Sequence, residues 1–164
     1  PIFTDIESTS SEVANAAYYQ EIILKISKTA EKKKESVLLT NAKDWIFTFI
    51  EGVENAESNS VAGTGSNDVA TNGVPFWLTV DFKEVKTVTG IQTTHWGAGY
   101  APSKVEIFSS ENGDKWTSIG QWDTKGRNQT ITFDERIKTR YLKYQMVTVP
   151  SRVDITKFYI YAWE

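Results

Sequence analysis

VEIFSSENGDKWTSIG, Val105 to Gly120, consists of two runs of alternating apolar and polar residues on either side of Asn112-Gly113. Side chains of a strand point alternately to opposite faces, so this alternation marks strands with one covered face. Asn-Gly supplies the left-handed backbone that a tight hairpin turn requires. Working outward, RYLKYQMV (Arg140 to Val147) and TKFYIYAW (Thr156 to Trp163) alternate in the same way. Further strands are expected at Trp45–Glu51, Phe76–Phe82, Val88–Thr94, Lys104–Ser109, Trp116–Gln121 and Gln129–Phe133. Short turns and no intervening helices separate them, which argues for an antiparallel sandwich or jelly roll.

Ahead of the strands, residues 9–36 carry a helical pattern. Thr9 and Glu12 have capping-box spacing, and Val13, Ala17, Ile22, Ile23, Ile26 and Ala30 recur at helical intervals. The run Glu31 to Glu35, with three lysines, suits a solvated helix end. The chain therefore divides into a helical segment or linker at 1–40 and a β domain at 41–164. The polar stretch Glu54 to Asn72 is read as a long loop inside that domain.

Composition narrows the function. The 164 residues include 18 basic and 21 acidic side chains, so no electrostatic footprint for nucleic acid is present. Cysteine is absent, which excludes disulfides and thiolate chemistry. No apolar run approaches a membrane span. The chain starts at Pro1 and is read as a piece of a longer protein, with any export signal upstream. No Gly-x-Ser-x-Gly, phosphate loop or His-x-x-x-His spacing occurs, and the Asp134-Glu135 pair lies in a turn, so catalysis is not expected.

If successive strands reverse direction, loops 66–75, 95–103, 122–128 and 148–155 share one end of the sandwich. The turns near 83–87, 110–115 and 134–139 share the other. The first set holds His95, Trp96, Tyr100, Trp122, Arg127, Asn128, Arg152 and Asp154, and these are the candidate binding residues. Flat aromatic rings offer apolar platforms to a ligand, and the polar side chains offer it donors and acceptors. His95 and Trp96 are adjacent, so one of the pair faces the core. Trp122 serves equally well as a lid on the core, Arg127 as a solvated turn residue, and Arg152 with Asp154 as a surface ion pair. Arg140 reads as structural, and Trp77, Trp116 and Trp163 as core.

From Trp77 to Tyr161 the pattern resembles the discoidin, or coagulation factor 5/8 type C, domain, which in bacteria overlaps the family 32 carbohydrate-binding modules. The matching segments, in order, are FWLTVDF, VTGIQTT, APSKVEIFSSENGDKWTSIGQW, RYLKYQMV and ITKFYIY. The resemblance implies a galactose-binding-domain-like, jelly-roll β-sandwich of eight strands with ligands held by loops at one end. In bacterial members the ligand is usually a glycan, often containing galactose or N-acetylhexosamine. The modules are commonly appended to secreted or surface glycosidases, including those of the chitobiase type. An extracellular, surface or periplasmic setting and upstream domains of the same chain follow from it. Many members also hold a structural calcium with an Asp-Gly loop and a Glu in the closing strand. Here Asn72 and Lys157 stand at those places, which argues against the calcium. The competing expectation is a packing or protein-interaction module of the same fold. Membrane insertion through the loop tips is disfavoured by the lack of a basic collar.

Overall fold

The computed structural model describes residues 15–23, 34–40, 42–62 and 68–164. The chain forms two units, Pro1–Lys34 and Glu35–Glu164. In the first, residues 15–23 are helical. The remainder of the helix expected over 9–36, including the Thr9–Glu12 cap, lies outside the described residues up to position 33. At its far end the expectation is corrected, because Ser36 begins a strand rather than closing a helix.

Among the described residues the second unit contains nine strands: β1 (Ser36–Leu39), β2 (Ile46–Phe49), β3 (Val69–Thr71), β4 (Phe76–Thr94), β5 (Lys104–Ser110), β6 (Thr117–Asp123), β7 (Asn128–Thr148), β8 (Val153–Ile155) and β9 (Lys157–Trp163). All the pairings are antiparallel. Two pairs of expected strands prove to be single long strands. Phe76–Phe82 and Val88–Thr94 are the halves of β4, and Gln129–Phe133 and Arg140–Val147 lie within β7. The register between β4 and β7 shifts from Asp81 to Lys86, where Lys83 adopts a φ of 67°. Strands that change layer do so through such irregularities.

The first half of β4 pairs with β2 and with the end of β7; its second half pairs with β9 and the start of β7. Aromatic rings show the two halves facing one another. Phe158 of β9 meets Phe47 of β2 at 6.0 Å and Tyr144 of β7 at 5.8 Å, edge on in both cases. Around them pack Leu78, Val80, Val105, Ile107, Ile131 and Ile160, all buried. Each fully buried side chain of this size stabilises the fold by about 1.5–3 kcal/mol relative to exposure.

Three strands were missed by period counting. β1 pairs with β9 from Ser36↔Trp163 to Leu39↔Ile160, so the sandwich begins ahead of residue 41. β3 and β8 pair with each other as a separate two-stranded sheet, in segments expected to be loops. Three residues are too few to display alternation, and Val153, Asp154 and Ile155 are buried on both faces.

Trp77, Trp116 and Trp163 are not core residues. All three are half-buried. Trp77 and Trp116 line a surface depression of about 500 Å³ with Thr79, Tyr141 and Lys143. Trp163 lies beneath the Arg136 guanidinium at 4.0 Å.

Candidate functional site

Backbone bonds tie the four loops of one end together. The Ser103 N–H donates to the Thr148 carbonyl at 2.8 Å, Thr124 N–H to Ser103 at 3.0 Å, and His95 N–H to Arg127 at 2.9 Å. β3 and β8 join the 66–75 and 148–155 segments directly. At the opposite end, the Thr139 hydroxyl donates to the Ser110 carbonyl at 2.9 Å; of the turns expected there, 83–87 and 134–139 instead lie within β4 and β7.

His95 is inside and Trp96 is outside. The imidazole has no exposed surface. Its Nδ1 lies against the Asp154 backbone carbonyl, which can only accept, so Nδ1 carries the proton. In the neutral ring Nε2 then accepts from the Thr93 hydroxyl at 3.0 Å. Burial holds the imidazole pKa below its ordinary value, keeping it neutral. His95 is thus removed from the set of ligand-contacting candidates, because each of its polar atoms is occupied within the protein. Its role is to fasten the end of β4 to β8.

Trp96 is 64% exposed, the most exposed tryptophan among the described residues. Its backbone N–H donates to both Asp154 carboxylate oxygens, at 3.0 and 3.1 Å. Its carbonyl accepts from Arg127 Nε at 3.3 Å. A 3-10 turn, Ala98–Tyr100, brings Tyr100 back so that its ring meets Trp96 edge to face at 5.2 Å and 73°. The indole is therefore buttressed by the Tyr100 ring and largely open to solvent. Trp96, Tyr100, Arg152 and Asp154 line a cleft of about 320 Å³ with Asn55, Asp68 and Ala70.

Electrostatics inside the cleft are uneven. Asp154 is only 3% exposed, and burial pushes its carboxyl up to about 6, against the lowering effect of the Trp96 N–H. Neighbouring Asp68 raises it further, and Arg152 lowers it. Arg152 does not pair directly with Asp154 as the simple surface-bridge alternative required. It donates from Nη1 to Asn72 Oδ1 at 3.1 Å and from Nη2 to Glu54 Oε2. The contributions of Glu54, Asn55 and Asp68 were missed because they come from the polar stretch read as a plain loop. Only its acid and amide content hinted at them.

The other candidates stand apart. Trp122 lies within β6, half-buried against Phe133 at 5.5 Å, in its role as a lid on the core. Asn128 opens β7, exposed, and accepts from the Thr94 hydroxyl at 3.2 Å. Neither lines the Trp96 cleft. The calcium ligation that the resemblance implies does not fit these residues either. Asn72 turns its oxygen to a guanidinium, Lys157 is exposed on β9, and no group of three or more acidic or histidine side chains converges among the described residues.

The F5/8 type C domain profile matches residues 50–159. The chain belongs to the F5/8 type C domain family. Its fold is shared with solved domains of low sequence identity. One is the family 32 carbohydrate-binding module of NanJ from Clostridium perfringens, solved with galactose. It is 20% identical, with 78% of this chain and 98% of that one covered at a TM-score of 0.60. Another Clostridium perfringens family 32 module, solved with GalNAc-β-1,3-galactose, is 13% identical (78% and 100% covered, TM-score 0.62). The C-terminal domain of a chitobiase from Bacteroides fragilis is 18% identical (77% and 97% covered, TM-score 0.61). No curated protein sequence is significantly similar to this F5/8 type C domain.

Proposed function

We propose that this F5/8 type C domain is a non-catalytic carbohydrate-binding module and that its ligand lies on Trp96. The observation that carries the reading is the open indole beside the Tyr100 ring, over a cleft lined by carboxylates and amide groups. A pyranose stacks its C–H face on such a ring and hydrogen-bonds its rim to polar neighbours. Two neighbours of the same fold, solved with galactose and with GalNAc-β-1,3-galactose, support a glycan ligand. The module would hold a larger secreted or surface bacterial protein, such as a glycosidase, near its glycan. The chitobiase domain supports that setting. No described helix is long and apolar enough to cross a membrane.

A shallow cleft with one stacked ring gives a dissociation constant on the order of 0.1–10 mM. Attachment to further domains makes such affinity useful through avidity. A glycan-array screen of the chain beside its Trp96→Ala variant tests the reading. Hits that disappear in the variant are expected. A well-folded protein with no hit, followed by no response to millimolar galactose, would remove it in favour of a packing module.

A further inference from the structure

The charges left uncommitted in the Trp96 cleft are of one sign. Arg152 spends its two terminal nitrogens on Asn72 and Glu54. Asn55 gives an amide N–H to the Asp68 carbonyl at 2.9 Å. The Trp96 backbone N–H is shared between the Asp154 oxygens. Arg127 is turned to the Trp96 carbonyl. What remains toward the cleft is acceptor-rich: the Asp68 and Asp154 carboxyl groups, which lie within hydrogen-bond reach of one another, so that a proton or another cation between them is favoured. The Tyr100 hydroxyl, the indole N–H, the second Asn55 amide N–H and the remaining Arg152 N–H groups are the donors beside them.

We propose that the cleft selects a hexosamine with a free amine, its ammonium held by Asp68 and Asp154 beside Trp96, over N-acetylated sugars and uronates. This rests on the carbohydrate reading given above and names the ligand class for the same site. An ammonium offers three charge-assisted donors to two carboxylates and gains further from the adjacent aromatic faces. An N-acetyl group removes the charge and adds bulk. A uronate places a third carboxylate against two and finds Arg152 already paired, so its binding is opposed. The upward push on Asp154, to about 6, describes the same arrangement from the protein's side, since burial and Asp68 both act on it and Arg152 offsets them only in part.

The test is calorimetric titration of the whole chain with methyl β-D-glucosaminide, its N-acetyl derivative, methyl β-D-galactoside and D-galacturonate, at a pH where the amine is protonated. The free amine should bind about tenfold tighter than the N-acetyl derivative, with galacturonate the weakest. Asp68→Asn should shrink that ratio to about twofold. In the unmodified chain, raising the salt should erode it in the same direction, which keeps the result independent of how the variant folds. Galactoside or N-acetyl sugar binding as tightly as the amine overturns the inference while leaving the carbohydrate reading standing. So does a preference that neither salt nor Asp68→Asn alters. Binding to none of the four probes overturns both.

Discussion

Two clusters of aromatic side chains reach the surface of this domain, and they differ in what covers the rings. On the sheet face, Lys143 Nζ sits 5.1 Å from the Trp77 ring and 5.5 Å from that of Phe108. Tyr141 has the Arg140 guanidinium 5.1 Å from its centroid, and a Cβ added at Gly113 would come within 3.2 Å of its ring. These rings are occupied by the protein's own cations and turns. At the loop end, Trp96 has only the Tyr100 ring for an aromatic neighbour among the described residues and stays largely exposed. The sheet-face depression is the larger of the two, yet its Trp77 and Tyr141 rings already have cations over them. Availability of a ring, more than the size of the hollow around it, separates the stabilising cluster from the binding one.

The comparison can be broken most severely at His95. His95→Ala removes the buried bonds to the Asp154 carbonyl and the Thr93 hydroxyl and leaves a cavity, so a loss of about 3 kcal/mol in unfolding free energy is expected by denaturant melts. Sugar binding should weaken with it, since β8 and the Trp96 loop lose their fastening. Full stability in that variant would show that the loop end needs no such support.

A paired substitution sharpens the contrast. Trp96→Ala should cost about 2 kcal/mol of sugar binding, roughly thirtyfold, with stability changed by less than about 0.5 kcal/mol. Trp77→Ala should do the reverse: about 2 kcal/mol lost from folding, with affinity within about twofold. Equal effects of the two on binding would put the ligand on the sheet face.

A smaller effect is expected from pH. The folded Asp154 carboxyl titrates near 6, above the ordinary 3.8. The native state therefore holds this proton more tightly than the unfolded chain does. That contribution is complete below about 4 and is lost as pH rises through about 6. His95 acts in the opposite sense: its folded pKa is lowered, so its contribution is present above the ordinary 6.5 and lost as pH falls. The two must be separated by difference. Between pH 4 and 6, Asp154→Asn should remove about 1–2 kcal/mol of decline with rising pH. An unchanged profile would contradict the burial argument. Least of all should Asn128→Ala matter, because that side chain is exposed and outside the cleft; changes below about 0.5 kcal/mol in both stability and binding are expected.

Much of this was legible in the sequence, for identifiable reasons. Alternation in Lys104–Ser110 and Lys157–Trp163 placed those strands to within a residue or two, because one face of each is covered. It could not show that β4 and β7 run unbroken, since a register shift at Asp81 looks like a turn in a linear pattern. It could not reveal β3 and β8, three residues each. The grouping of the four loops at one end followed from strand reversal and appears in their shared backbone bonds. The face that His95 takes was undecidable from adjacency, because burial of an imidazole depends on partners 59 residues away. Trp77 looked like core because hydrophobicity alone does not say that Lys143 will cover its ring.

The most direct measurement is an amide NMR titration of the chain with galactose. Shifts concentrated at Trp96, Gly97, Tyr100, Arg152 and Asp154, absent from Trp77, Trp116 and Tyr141, are the predicted outcome. Shifts centred on the sheet-face cluster would contradict the account at its root.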